Sequence, residues 1–580
     1  MSALADVTPR KSYHVLIVQL GEIEEVFRSL MAARAVQQLY PESRFHFIVR
    51  SGHSTPVSKV DWIETVQEIP TLSPTDEPLK AVALWTNGII EQHYDILCNW
   101  TYSKKHLRMS SILTTLIPAA VKYGHHLRDD FTVTGLDGWT IYREAWLRDS
   151  AIDQDIHHTD IITTQLLTAM QIHSGSPTAG SSAGFVTSRF FFKNNTKISF
   201  PKSSEKWVAI HPDSLNSRID EVIEMILRRH PDHGVVILND TRVGEESGID
   251  SNNPRILNLS GSLEFETLVS ALNGCSWLIA GCSPIVALAN LLNVRILYWI
   301  EAHPQITGES HNKWTETGPY GNGNIAIRFN QDFQPEVFYA VWSYYQGEWI
   351  HQGEIQFQNH FENLGLTSSL SQIEVYKSRI RSSSEGGGVS FESVIHVDPE
   401  FENWMYRLRG QLARAWFCGW IPPIEEEVEK LKLTPNLIRH ARELKESIQV
   451  IERVCVEAKK VSQDLQKVSS TIRNPRIMSI EDRDSIETCA KKLLELESLI
   501  ARVVQVEKEL RCFHVWYQQL MHHLDGETIE KMAIETDQAF DLMMNGANLI
   551  CSYIEKVLKK AKPKAVTLLA SEEVTPLKEN

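Results

Sequence analysis

The sequence predicts two doubly wound α/β halves followed by an all-α region, and three observations carry that expectation. Short apolar runs alternate with amphipathic helical patterns through the first two-thirds of the chain. The alternation starts afresh near Lys206, after the small-residue stretch "HSGSPTAGSSAG" (173–184), which suits a linker or mobile loop. Beyond Phe401 the strands vanish and long heptad-like helical runs take over.

In the first half "HVLIVQL" reads as a buried parallel strand, Glu24 to Leu39 as a helix, and "RFHFIVR" and "YDILCNW" (94–100) as further strands. "SSILTTLIPAAVKYG" and "DIITTQLLTAMQI" (160–172) read as helices. In the second half the strand "KWVAIHPDS" (206–214) leads into the helix "RIDEVIEMILRRH" and the strand "GVVILND" (234–240). The helix "SLEFETLVSALNGC", the strand "WLIA", the turn "GCSP", the helix "IVALANLL" and the strand "VRILYWI" follow. Halves of this kind bind ligands in the crevice outside the carboxyl ends of their strands. From about residue 345 the pattern weakens, and "RSSSEGGG" (381–388) reads as the best linker in the chain. The expected organisation is 1–184, 185–345, a connecting segment 346–400, a helical bundle 401–561 and a solvated tail 562–580. Ser479 and Asp482 mark one helix start in the bundle.

The bulk properties narrow the function. The chain has 580 residues, 42% hydrophobic and 23% charged, with a net charge of −15, which describes an ordinary globular protein. That balance argues against a nucleic-acid partner, whose phosphates need clustered Lys and Arg. The eight cysteines (Cys98, Cys275, Cys282, Cys418, Cys455, Cys489, Cys512, Cys551) stand singly, as reduced thiols would in a cytosolic protein. The start has no apolar core of a signal peptide. The longest apolar stretch, Trp277 to Ile300, holds Pro284, Asn290, Asn293 and Arg295, and reads as strand, helix and strand rather than a membrane span. A cytoplasmic protein is expected, with the inner face of a bacterial membrane as a second location.

Several stretches have both a chemical and a plain reading. In "GCSP" Ser283 suits an N-cap and Pro284 the first helical position, so the amides that follow either cradle a diphosphate or simply begin a core helix. "AIHPDSLNSRID" (209–220) offers Ser214, Asn216 and Arg218 to phosphate oxygens, or is an ordinary loop. "DQDIHHTD" (153–160) offers carboxylates and imidazoles to a divalent metal, or is an acidic loop with a helix cap; no metal is expected. "SKKHLRMS" (103–110) presents Lys104, Lys105 and Arg108 to an anionic acceptor, or is a solvated basic loop. Trp416, Trp420, Phe513 and Trp516 form either a helical core stripe or a docking surface for a partner or a membrane. The heptads admit self-association or an intramolecular bundle.

One feature is odd: the first strand-to-helix turn, "LGEIEEV", carries Glu22, Glu24 and Glu25 where helix N-termini commonly receive phosphate. Its context, "VLIVQLGEIEEVFRSLMAARAVQQLYP", resembles the opening of glycosyltransferase family 9, the lipopolysaccharide heptosyltransferases. "WVAIHPDS", "ILNLSGSLEFETLVSALNGCSWLIAGCSPIVALANLLNVRILYW" and "TGPYG" (317–321) are similar to later elements of that family. The resemblance spans about residues 12–345. It implies a GT-B fold and an inverting, metal-independent transfer of a heptose-like sugar. The donor is a nucleotide diphosphate sugar, a substrate rather than a cofactor, and the acceptor a glycan, lipid-linked or protein hydroxyl.

In the family the loop ends in Gly-Asp, and the Asp deprotonates the acceptor. Glu24 and Glu25 occupy those positions, so the resemblance makes Glu25 the base. In an active enzyme of this kind Ser214, Asn216, Arg218, Asn239, Asp240, Glu245, Cys282, Ser283 and Pro284 are the residues expected to hold the donor, and Lys104, Lys105 and Arg108 those expected to receive the acceptor. The family's D-[ST]-G-x-x-H reads here from Cys282 to Ala287, so its Asp, Gly and His become Cys282, Pro284 and Ala287. Asp213 stands where a glycine is usual. These departures motivate a second expectation: a catalytically degenerate, transferase-like scaffold whose helical region engages a partner.

Overall fold

The computed structural model of the chain describes residues 12–70, 92–128, 132–135, 137–148, 156–174, 190, 192–193, 197–212, 218–238, 253–259, 261, 264–301, 318–329, 333–346, 354–380, 388–395, 401, 404, 408, 428–429, 431–472, 479–507, 510, 514, 517–518, 521 and 528–572. The first unit holds β1 (His14–Gln19), α1 (Ile23–Leu39), β2 (Arg44–Arg50), α2 (Ser54–Ser58), β3 (Ile63–Ile69), β4 (Tyr94–Asn99), α3 (Lys104–Leu116) and β5 (Ala119–Tyr123). A short hairpin, β6 (His125–Leu127) and β7 (Val133–Gly135), and the helices α4 (Gly138–Arg148) and α5 (His158–Ser174) complete it. The strands lie in the order β3-β2-β1-β4-β5, all parallel. Parallel central strands are covered on both faces, which is why β1 is a continuous apolar run. The order reverses between β1 and β4, and the loops after those two strands define the crevice.

The second unit contains β8 (Lys206–His211), α6 (Ile219–Arg229), β9 (His233–Ile237), β10 (Ile256–Asn258), α7 (Phe265–Asn273), β11 (Trp277–Ala280), α8 (Pro284–Leu291), β12 (Arg295–Glu301) and β13 (Ile325–Phe329). It continues through α9 (Pro335–Gln346), α10 (Glu354–Asn363), a 3₁₀ turn (Thr367–Gln372), β14 (Ile373–Ile380) and β15 (Val389–Ile395). Its sheet runs β10-β9-β8-β11-β12-β13-β14-β15, parallel up to β13 and antiparallel for the last two. Among the described residues the third unit contains three long helices, α11 (Pro435–Thr471), α12 (Ile480–Val506) and α13 (Ile529–Glu572), with α11 packed against both others. Leu437, Ala441, Leu444, Ile448 and Cys455 form its fully buried seam at helical spacing.

Three expectations are corrected. The stretch "SSILTTLIPAAVKYG" is two elements, because Pro118 forces Ile117 into an extended conformation (φ −76°, ψ 125°) and the chain continues as β5. The presumed linker 381–388 joins β14 to β15, which pair antiparallel with Ile380 opposite Val389. It is a hairpin connection, and the second unit extends to Ile395 rather than 345; Gly and Ser serve hairpin loops and linkers alike. The tail expected from 562 is helical through Glu572. Trp416, Trp420, Phe513 and Trp516, and residues 175–184 of the first expected linker, lie outside the described residues.

The two α/β units share one apolar core. Val26, Phe27 and Leu30 of α1 belong to the same buried cluster as Ile285, Val286 and Ala289 of α8. Phe27 stacks on Phe265 at 6.3 Å, Phe192 meets Phe265 edge-on at 5.0 Å, and Lys59 pairs with Glu266 at 2.7 Å. The N-terminal turns of α1, α7 and α8 are therefore drawn together. Among the described residues no helix is long and apolar enough to cross a membrane.

Candidate functional site

The loop after β1 is built on Gln19, a fully buried amide at the end of an apolar strand. Its Nε2 donates to the Trp100 carbonyl (2.9 Å) and to Ser29 Oγ (3.0 Å), and its Oε1 accepts from Gly21 N (2.9 Å). The Leu20 amide donates to Thr101 Oγ1 at 2.9 Å. These bonds stitch the β1 and β4 loops together at the switch point and fix where α1 starts.

Glu25 stands in the first turn of α1, half-buried. One oxygen is anchored: Glu22 N donates to Glu25 Oε2 at 3.0 Å, an arm of a capping box. Oε1 has no hydrogen bond among the described residues. Burial raises the Glu25 carboxyl to about 7, against the opposing pull of Arg28 and Arg143. Gly21 makes room for this fold-back, since a Cβ there would lie 1.5 Å from Glu25 Oε2. Glu24, likewise in the first turn, adds negative charge at the helix N-terminus.

Glu22 is not a bystander. Arg50, at the carboxyl end of β2, spans both its oxygens, Nη2 to Oε2 at 2.7 Å and Nη1 to Oε1 at 3.2 Å. The same guanidinium meets His106 Nε2 (3.0 Å) and His53 Nε2 (2.9 Å). The Arg50 hydrogen bond holds Glu22 below the usual carboxylate range, and desolvation together with Arg50 keeps both imidazoles below theirs.

A second set of buried polar groups lines the unit's carboxyl end. Tyr102 is ringed by His125 and His158, each edge-on at 5.4 Å, and by the Arg143 guanidinium at 5.5 Å. His125 Nε2 lies 2.7 Å from Glu144 Oε1. His157 accepts from Thr159 N through Nδ1 (3.1 Å) and so caps α5, and burial lowers its pKa to about 3, leaving the ring neutral. Its Nε2 faces the Gly318 carbonyl at 3.4 Å. Asp160 Oδ1 accepts from Tyr320 OH and Oδ2 from Val389 N, both at 2.8 Å. The tail of "DQDIHHTD" thus locks α5 to the second unit; Asp153 and Asp155 lie outside the described residues.

On the second unit four of the predicted donor residues, Arg218, Cys282, Ser283 and Pro284, are described. Ser283 is buried and its Oγ accepts from Ile285 N at 3.2 Å, capping α8 with Pro284 at the first position, while Cys282 is exposed. Arg218 turns its fork onto Glu221 of its own helix (2.9 and 3.1 Å) and onto the Phe333 carbonyl (3.3 Å). Ser214, Asn216, Asn239, Asp240 and Glu245 lie outside the described residues. Lys104, Lys105 and Arg108 are exposed on the first turns of α3, a helix start rather than a loop, and make no hydrogen bond or ion pair among the described residues. His106, between them, is the side chain that reaches the Glu22 cluster.

Gln19, Arg28, Arg50, Arg143, Asp160 and Tyr320 were missed by sequence reasoning. The usable signals were a glutamine ending an apolar strand and an aspartate inside the apolar run of α5. Among the described residues, His230, Asp232 and His233 alone bring metal-type ligand atoms within 4.8 Å of one another. They stand at the amino end of β9, away from the crevice. His233 is held by Asp232 Oδ1 and Gln346 Nε2 (both 2.7 Å) and His230 by Tyr339 OH (2.8 Å), so the group ties the α6–β9 turn to α9.

No family model matches the sequence, and no curated protein matches it. Solved structures do resemble the chain. The E. coli heptosyltransferase WaaC with ADP-2-deoxy-2-fluoro heptose is similar over 51% of this chain and 92% of its own, at 16% identity and a TM-score of 0.35. A glycosyl transferase family 9 protein from Veillonella parvula is similar over 58% of this chain and 90% of its own, at 12% identity and a TM-score of 0.36. For E. coli ADP-heptose LPS heptosyltransferase II the figures are 58%, 99%, 12% and 0.34.

Proposed function

We propose that the two α/β units form a GT-B-like pair of Rossmann-type domains. In this reading the chain is an inverting, metal-independent glycosyltransferase that moves a heptose-like sugar from a nucleotide diphosphate to a glycan, lipid-linked or protein hydroxyl. The observation that carries the reading is the state of Glu25: one oxygen anchored, the other without a partner among the described residues, and a carboxyl raised to about 7. A general base works best with a pKa near the operating pH. In the reaction Glu25 Oε1 takes the acceptor proton as the acceptor oxygen bonds to the anomeric carbon, and the nucleoside diphosphate leaves with the electrons of the broken C–O bond. Arg28 and Arg143 keep the carboxyl from rising further, so it remains ionised above about pH 7.

Glu25→Gln tests this directly. Transfer falls by at least the roughly 10²–10⁴-fold that a positioned base contributes, while donor binding is retained. Equal transfer by the variant removes Glu25 from the chemistry.

A second reading has its own support. Arg218, the one cation among the described predicted donor residues, has its guanidinium engaged by Glu221 and by the Phe333 carbonyl. A degenerate scaffold follows, with residues 401–561 as its working surface. A thermal-shift screen of nucleoside diphosphates and nucleotide sugars separates the two. A ligand at 100 times its Kd stabilises a real site by about 2.7 kcal/mol, and a flat screen favours the scaffold.

A further inference from the structure

Arg50, on β2, is shared by three partners from three other places in the fold: Glu22 at the start of α1, His53 in the β2–α2 turn and His106 in the first turn of α3. A guanidinium can only donate, so His53 and His106 must both accept through Nε2 and carry their protons on Nδ1. Protonating either ring turns an acceptor into a cationic donor facing another cation. The contact with Arg50 is then lost, and Arg50 is what holds Glu22. Glu22 in turn supplies the backbone N–H that anchors Glu25 Oε2.

We propose that Arg50, His53 and His106 are positioning residues for Glu25, and that protonation of the two imidazoles releases the base from its anchored geometry. This deepens the reading of Glu25 as the base and rests on it. The charged and titratable groups around the imidazoles set the direction. Arg50 disfavours protonation of each, His106 does so for His53 and Lys105 for His106, and Glu22 favours it for both. Glu68, on the far side of the β2–α2 turn, is engaged with Ser51, Gly52 and Ser54. Desolvation and Arg50 prevail over Glu22, so the cluster is locked at neutral pH and opens on acidification, below the ordinary imidazole range of about 6.5.

The test uses the full chain labelled at histidine and glutamate side chains, with NMR titration of His53, His106 and Glu25 in the wild type, Arg50→Met and Arg50→Lys. In Arg50→Met both imidazole midpoints rise toward the ordinary value, and the Glu25 midpoint falls from about 7 toward that of a solvated carboxyl. Arg50→Lys keeps the charge without the fork. It leaves the imidazole midpoints low yet still releases Glu25, an outcome that a general loss of folding does not produce. Imidazole midpoints that do not move in Arg50→Met overturn the proposal. Imidazoles that move while Glu25 stays near 7 also overturn it, and leave the base assignment standing. A wild-type Glu25 midpoint near 4.5 removes the base itself, and with it both readings.

Discussion

The Tyr320 hydroxyl donates to Asp160 Oδ1 at 2.8 Å across the boundary between the two α/β units, and both residues are almost fully buried. Tyr320 is itself fixed, its amide donating to Asn290 Oδ1 at 2.9 Å and its ring lying 4.9 Å from that of His157. The same carboxylate receives the Val389 amide of β15. One side chain on α5 thus reads the position of α8, of the loop before β13 and of the edge strand.

Tyr320→Phe keeps the ring and removes the donor. A hydrogen bond to a charged group contributes about 1.5–3 kcal/mol, so the variant unfolds at lower denaturant by a corresponding amount. Hydrogen exchange at the start of α5 rises with it, and unchanged protection there would refute the latch.

Gly21→Ala is expected to cost far more rate than stability. The added methyl occupies the place of the Glu25 carboxylate, whose Oε2 would be 1.5 Å away. A displacement of about 1 Å at a reacting group costs on the order of 10²-fold. Parallel measurement of transfer and of the melting temperature checks the split.

The raised Glu25 pKa fixes a stability profile. The folded carboxyl titrates near 7 and the unfolded one near 4.5, so between those values the folded state binds the extra proton. This contribution is fully present below about 4.5 and is lost as pH rises through 7. The wild type therefore loses stability relative to Glu25→Gln between pH 5 and about 8. Urea midpoints of the two proteins across that range test the sign.

A chain ending at residue 380 loses β15 and with it the Asp160–Val389 contact, and exposes β14 as an unprotected edge. A chain ending at 400 retains both. Cooperative melting is expected of the longer product and aggregation of the shorter, and identical behaviour would return 381–388 to the status of a linker.

Removing the α8 cap by Ser283→Ala is worth about 1 kcal/mol of stability. If Ser283 acts only as a cap, nucleotide-induced stabilisation is unchanged in the variant. Loss of that stabilisation assigns the turn to the donor.

Alternation of apolar runs with helical periodicity is local, so the order of β1, α1, β2 and β4, and of β8, β9, β11 and β12, was legible in the sequence, while the three-residue β10 was not. The Ser283 and Ser479 caps were legible too, because an N-cap is set by the residue and the three that follow it. The hairpin β14–β15 was not, since Gly and Ser compositions do not tell a turn from a linker. Glu25 was singled out by its place after β1, and Glu22 was taken as surplus charge at a helix end. Arg50, His53 and His106 lie 28, 31 and 84 residues beyond it, and only parallel pairing of β2 and β4 beside β1 brings them to that carboxylate. The sequence by itself determined which segments become strands and helices, because those choices depend on neighbours in the chain. The tertiary structure decided which charges meet, which carboxylate is desolvated and which cations are already engaged, because burial and pairing are properties of space.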